Sequence, residues 1–583
     1  VSCLASTLEN NKLFHRKEGD FIMKKPYLHP YVPELQDLHR QGRITRREFL
    51  RLATLLGVSV AGAEALAACT PPPAAPAPPT AAPAAAPKAT EAPKPTAAAA
   101  ATIKRGGELR FANAVRKLTD PATGVFTEYN IWWFVAEYLA VTGADNLTRP
   151  WLLEKWEASP DLKTWTLFLR KGIKFNHGPE LTADDVIWNF KRWLDPATKS
   201  SMLGLMSGYL SPNDVEKVDQ YTVKLNLKKP QIGVPEHLFH NPAAILAKDF
   251  GGDWVKQPIG TGMYTLAEYN VDERAVLKRR DGYWRNGADG KALPYLDSIR
   301  IVFLGDDPAP AVAALQAGDI DAMFLNPALL DAIKGNPDIN VLSQTSSFTH
   351  VFRMRADKKP FDDVKVRQAI KLCQDRAKML EMTQRGYGAI GEDHHVAPIH
   401  PEYTPTTPAP ARDVEKAKAL VKEAGYANGL NIKLNAINSE PNITLAQLLK
   451  EQCAPAGINI ELAMEPSNMY WDHWMDVDFG ITSWTHRALA VMTLGLAYRT
   501  GVEWNETHWS NKEFDALLDQ AEATLDIEAR KKLVAKIQKI MQDEGPAAIP
   551  RWNAQIVGAN KKVKGLTVAP HDHMMGYDVW IDK

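Results

Sequence analysis

The stretch Asp478–Gly501, DFGITSWTHRALAVMTLGLAYRTG, is mostly apolar, yet it sets His486 and Arg487 side by side after Trp484 and Thr485. A buried charge without a partner is costly. These two side chains therefore either reach solvent or face a group that needs a cation. FGITSW reads as a strand, and Leu489, Met492 and Leu496 fall on one helical face. A helix is thus expected to open near Thr485, which can cap it. His486 and Arg487 would then stand in a first turn that is already partly positive. Cations are disfavoured there unless they serve an anion. Arg487, His486 and free backbone N–H groups together would suit a carboxylate or a phosphate. The bland alternative leaves Arg487 in solvent.

Two further clusters could do chemistry. His394, His395 and His400 fall in the Pro-rich stretch GEDHHVAPIHPEYTP, and His571 and His573 in HDHMMGYD. Imidazoles at such spacing could hold a metal chelate or a haem, although structural hydrogen bonding is the commoner role. The four cysteines, Cys3, Cys69, Cys373 and Cys453, show neither metal-finger spacing nor a disulfide framework. Cys373 and Cys453 sit in helix-like segments and read as buried thiols, with a bridge formed after export as the alternative. No G-x-S-x-G, H-E-x-x-H, S-x-x-K constellation or cysteine-nucleophile context is convincing, so an exported hydrolase is a weak reading. Gly260-Thr261-Gly262 has no following GK[ST], and a sharp turn between apolar elements is expected there. No catalytic residue, resident cofactor or metal is expected.

The elements that must position these residues alternate between strand and helix from Ile103 onward. TWTLFLRKGIKF carries apolar residues at every second position (Trp165, Leu167, Leu169). LTADDVIWNFKRWL reads as a helix capped by Thr182, with Val186, Phe190, Trp193 and Leu194 on one face. FDDVKVRQAIKLCQDRAKML is expected as one helix capped by Asp363, burying Val366, Ala369, Ile370, Cys373, Ala377 and Leu380. DVEKAKALVKEAGY is a helix capped by Asp413 and stopped by Gly425, and NKEFDALLDQAEATL and DIEARKKLVAKIQKIMQ form a helical pair. With 583 residues, two to four domains are allowed. The 69 Lys and Arg balance the 69 Asp and Glu, so no basic surface for nucleic acid is suggested.

The N-terminal segment has a different character. Residues 1–22 are patternless and read as an upstream misread of a start at Met23. Thr45–Arg51, TRREFLR, resembles a twin-arginine export motif, and a short apolar run leads to Leu66-Ala67-Ala68-Cys69, which resembles a lipobox. The run is too short and too rich in Ala and Gly to span a membrane. Residues 23–68 are therefore read as a signal peptide and Cys69 as the acylated residue, with a plain A-x-A cleavage site as the alternative. Residues 69–102, almost only Pro, Ala and Thr, cannot bury enough apolar area to fold. They read as a stalk reaching up to roughly 100 Å.

The order of blocks from GGELRFANA through WEASPDLKTWTLFLRKGIKFNHGPELTADDVIWNFKRW, PIGTGMYTLAEYNVDERAVLKRRDGYW, LPYLDSIRIVFLGDDPAPAVAALQAGDIDAMF, KKPFDDVKVRQAIKLCQDRAKM, DVEKAKALVKEAGY and WSNKEFDALLDQA resembles the family 5 extracellular solute-binding proteins. This is the dipeptide, oligopeptide and nickel class that serves ABC importers. The resemblance implies an α/β, two-lobed periplasmic-binding-protein fold with an extra subdomain and a ligand cleft between lobes that close on a hinge. It implies one lobe over 103–348, completed by 553–583 and carrying the subdomain at about 131–257, and a second lobe over 349–552. It also implies a monomer on the periplasmic or extracellular face, lipid-anchored, that hands a small solute to a permease. Phe126, Tyr129 and Trp132 lie where the family lines its cleft, and Tyr209 would contribute from the subdomain, opposite Trp484, His486 and Arg487. Core packing is an equal alternative for the first four. Many peptide-binding members carry an Asp three residues after the counterpart of Trp484, where it anchors a free amine. Here that residue is Arg487. The reversed charge implies a modified peptide, an opine-like conjugate, a sugar acid or another anion. A metal-chelate or haem binder and an adhesin remain as other readings.

Overall fold

The structure, a computed structural model, describes residues 103–582 apart from 125–128, 406–408 and 410. The twin-arginine stretch, Cys69, the Pro-rich stalk and Phe126 lie outside the described residues.

Local chemistry accounts for most elements. The strand Thr164–Leu169 buries Trp165, Leu167 and Leu169 in strict alternation. It is central to an antiparallel four-stranded sheet that runs Leu153–Ala158, Thr164–Leu169, Thr222–Asn226, Val215–Asp219. Helix Ala183–Trp193 opens on a capping box between Thr182 and Asp185 and buries Val186, Phe190 and Trp193. Helix Val414–Glu423 is capped by Asp413, and Gly425 follows it with φ +94°. Helices Lys512–Glu522 and Ile527–Glu544 pack as a pair.

One expected helix is two. The chain is helical over Val364–Cys373 and again over Arg376–Gln384. Gln374 turns extended, and Asp375 accepts the Lys378 N–H at 3.0 Å to cap the second helix. The Asp375 N–H is itself taken by Gln452 Oε1 at 2.7 Å. Restarting the helix shifts its phase. Met379 is buried, whereas Ala377 is exposed and Leu380 half-buried. Cys373 and Cys453 are buried free thiols.

A twelve-stranded mixed sheet carries the rest. At its centre the long strands Ile339–Met354 and Arg551–Asn560 run antiparallel through both halves of the sheet. Their register shifts between Thr345 and Thr349. Such a bulge frees backbone and side chains from the ladder, and Ser346, Ser347 and Phe348 occupy it. On one side the strand Phe479–Trp484 pairs with Ile339–Met354, followed by the parallel strands Leu430–Ile437 and Ile458–Glu465. On the other side lie Ala322–Phe324, Glu108–Ala112 and Ser298–Val302. One apolar cluster joins Leu109, Ile299 and the aromatic residues after Tyr129 with Trp484, Phe514 and Ile537 across the crossing strands, and another gathers Ile370, Leu434, Leu449 and Phe479.

Gly260 and Gly262 have a reason that differs from the expected turn. A Cβ at Gly260 would fall 1.8 Å from the Val135 carbonyl oxygen, and one at Gly262 would fall 2.2 Å from that of Phe134. Glycine is needed here because two backbones touch. Between them, Thr261 Oγ1 donates to the buried Glu137 carboxylate at 2.9 Å.

Candidate ligand cleft

Two cavities of about 860 Å³ and about 770 Å³ adjoin at a waist formed by His240, Asn241, Thr485, His486, Arg487 and His571, which line both. The waist loop is not helical. The strand ends at Trp484 and the next helix is Ala490–Ala497, with Leu489 at its N-cap. His486 and Arg487 therefore precede the helix instead of occupying its first turn. The Ala490 N–H points at Glu402 Oε2 (3.4 Å), so a buried carboxylate serves the positive helix end.

Ser347 and His400 hold the loop. Ser347 Oγ accepts the Arg487 N–H at 3.0 Å, and the Ser347 hydroxyl lies 2.8 Å from His486 Nδ1 and 2.9 Å from the Arg487 carbonyl oxygen. The Ser347 N–H donates to His486 Nδ1 at 3.2 Å. That nitrogen is an acceptor, so the His486 proton sits on Nε2, which has no hydrogen-bond partner. His400 Nδ1 likewise accepts the Ala397 N–H, so its Nε2–H donates to the Arg487 carbonyl at 3.0 Å. The Arg487 guanidinium donates to Thr485 Oγ1 at 2.8 Å and to the His486 carbonyl at 3.0 Å. Both partners are neutral, and Arg487 makes no ion pair among the described residues. It is half-buried, and desolvation lowers its pKa; a guanidinium so perturbed still keeps its charge at neutral pH.

Around it the imidazoles are neutral. Burial pushes His237 and His240 down to about 3 and His571 to about 4, and holds His486 well below the usual range. The positive charge at the waist therefore rests on Arg487. A second guanidinium lies beneath the larger chamber. Arg551 is fully buried and donates to Thr383 Oγ1 at 2.5 Å and to Asn553 Oδ1, both residues of the chamber wall. Burial lowers its pKa to about 9.

The site residues expected from sequence divide. Tyr129 lines the larger chamber, and His486 and Arg487 line both. Trp132 lines neither. It is fully buried, with its indole N–H 3.2 Å from the Tyr138 hydroxyl. Tyr209 also stands behind the wall, its hydroxyl 2.7 Å from Nδ1 of His237, which does line the smaller chamber. Trp484 donates to Glu506 Oε1 at 3.0 Å and supports Trp504, a wall residue, at a ring separation of 6.4 Å. Of the two histidine clusters, His571 and His573 reach the cleft, while His394, His395 and His400 are buried away from its walls. No three His, Cys, Asp or Glu side chains gather to hold a metal ion among the described residues. The segment His237–Asn241 and the pair Asn553 and Gln555 supply wall residues that no sequence pattern singled out.

Residues 148–505 match the bacterial extracellular solute-binding proteins, family 5 Middle. The dipeptide-binding protein of Escherichia coli (strain K12) is 29% identical over 72% of this chain and 84% of its own length. Heme-binding protein A of Haemophilus influenzae is 27% identical over 74% of this chain and 84% of its length. Among solved structures, HbpA2 from Haemophilus parasuis superposes with a TM-score of 0.73 at 25% identity, covering 82% of this chain and all of that one. The unliganded open form of the murein tripeptide binding protein MppA has the same fold, with a TM-score of 0.70. The chain belongs to family 5 of the bacterial extracellular solute-binding proteins.

Proposed function

We propose that this chain captures a small anionic solute in the cleft and delivers it to the permease of an ABC importer. The observation that carries the anion is Arg487, a cation at the waist whose described partners are neutral, beside the unpartnered Nε2–H of His486. Relatives named for dipeptide, heme and glutathione binding share similar identity with it. Relationship alone therefore does not select the solute, and the wall chemistry supports an anion. In this reading the lobes are 103–348 with 553–583, and 349–552, the subdomain is 131–257, and the crossing strands are the hinge. A twin-arginine signal exports the monomeric protein, and acylated Cys69 and the stalk tether it outside the cytoplasm.

Mass spectrometry of the solute that co-purifies with native protein, followed by calorimetry, tests the anion. Losing a charge-assisted hydrogen bond costs about 1.5–3 kcal/mol, so Arg487→Ala should weaken binding roughly 10- to 150-fold. Affinity within about threefold of wild type would remove the anion site. For the tether, Cys69→Ala should release the protein from membranes, because acyl chains contribute about 0.8 kcal/mol per buried CH₂. Wild-type protein that is wholly soluble would rule the anchor out. The histidines on the cleft walls favour a second reading, a metal-chelate or haem solute. Metal analysis and the absorption spectrum of untagged protein decide it.

A further inference from the structure

The two chambers differ in chemistry. The larger one presents hydrogen-bonding groups, among them Tyr129, Asn326, Gln384, Asn553 and Gln555. The smaller one is walled by Leu205, Phe239, Pro242, Met492, Leu496 and Trp504. Its acids are Glu236 and Glu503, and burial raises Glu236 to about 7, towards its neutral form. The imidazole of His573 on this wall is 3% exposed, packs against Tyr129 and Phe239, and has no partner on either ring nitrogen. Trp504, at the wall, is 47% exposed. That much indole in water is unfavourable, by about 25 cal/mol per Å² of apolar surface, and an apolar occupant would cover it. Gly204, another wall residue, has open space around it: a Cβ added there meets no atom within 4 Å.

We propose that the solute is an amphiphilic anion, with an aryl or alkyl arm in the smaller chamber and its anionic group at Arg487. This rests on the anionic reading of the waist and adds the apolar arm. Arg487 lines both chambers, so an anion held there can send one substituent into each. The apolar walls take the arm, and the larger chamber takes the hydrogen-bonding remainder. A purely polar solute would leave the smaller chamber and Trp504 wet.

The test uses two fluorescent probes on the full chain, anilinonaphthalene sulfonate and the uncharged phenylnaphthylamine. Gly204→Phe adds a ring at a wall residue of the smaller chamber that has free space around it. Met492→Gln makes its wall polar at the third residue of the helix Ala490–Ala497, and serves should the first variant fail to fold. The inference expects both probes to bind, and either variant to weaken both by about tenfold or more. Arg487→Gln should weaken the sulfonate selectively. If neither probe binds, or if both chamber variants leave affinity within about threefold, the apolar arm is wrong. If the chamber variants act but Arg487→Gln leaves the preference for the sulfonate unchanged, the arm stands and the anionic waist falls.

Discussion

Most cations in the interior of residues 349–552 and the cation at the cleft waist are treated in opposite ways. Arg353, Arg376 and Arg530 are nearly or fully buried, and each meets a carboxylate: Glu506 at 3.4 Å, Asp393, and Glu402 at 3.1 Å. Arg367 and Lys371 end on backbone carbonyls of the last turn of helix Ile527–Glu544, with Arg367 Nη2 2.6 Å from the Glu544 oxygen and Lys371 Nζ 2.7 Å from that of Met541. A helix C-terminus favours a cation. Arg487 has neither a carboxylate nor a helix end, only a hydroxyl and one carbonyl. Arg551, fully buried, is the other cation with neutral side-chain partners, Thr383 and Asn553, and both of those line the larger chamber. The cations left without a counter-charge thus stand beside the cleft, and of the two only Arg487 lines it.

Four measurements sharpen or break this contrast. The largest effect belongs to the interior. Arg530→Ala strands the buried Glu402 carboxylate, which also serves the Ala490 N–H, and should cost about 3–5 kcal/mol in urea unfolding. A loss under about 1 kcal/mol would show that the interior pairs are not structural, and the contrast would collapse. Next is the solute itself. At a hundredfold excess over its dissociation constant it should add about 2.7 kcal/mol to wild type, and markedly less to Arg487→Ala at the same concentration. Equal gains would place the solute away from the waist.

The third effect is that of pH. His237, His240 and His571 are held neutral, with pKa values of about 3, 3 and 4, against about 6.5 in the unfolded chain. Between those values the unfolded state binds more protons, so stability rises with pH. On acidification it should begin to fall near pH 6.5 and go on falling towards pH 3–4, by at most about 1.4 kcal/mol per pH unit for each group. Melting temperatures that stay flat from pH 7 to 5 would mean these rings are solvated. The smallest effect is on the empty protein. Arg487→Ala should change its stability by no more than about 0.5 kcal/mol, as expected of a side chain outside any buried network. A loss of several kcal/mol would make Arg487 one more structural cation.

How much of this was legible in the chain depends on the range of the interaction. Thr182, Asp363 and Asp413 cap the helices expected of them, because capping needs a side chain only two or three residues from its N–H. The strand Thr164–Leu169 follows from its alternation. The helix break at Gln374 and the delayed start at Ala490 were not legible. Gln452 supplies the partner for the first from 77 residues away, and Glu402 for the second from 88. Among the aromatics, Tyr129 faces the cleft and Trp132 the core. A short helical turn, Tyr129–Trp132, buries all four of its residues, and its pattern does not say which body covers each face.

The sequence by itself determined the two-lobed class, the caps, the strand periods and the presence of a cation at Arg487, since all of these are written in neighbouring residues or in their order along the chain. Tertiary structure decided which residues meet at the waist. Ser347 from a strand bulge, His400 from a loop and His571 from near the C-terminus converge on Thr485–Arg487, and that convergence sets the proton of His486 on the nitrogen left without a partner. It also divided the cleft into a chamber rich in hydrogen-bonding groups and a more apolar one, because each wall is assembled from segments hundreds of residues apart, and only packing brings them to one surface.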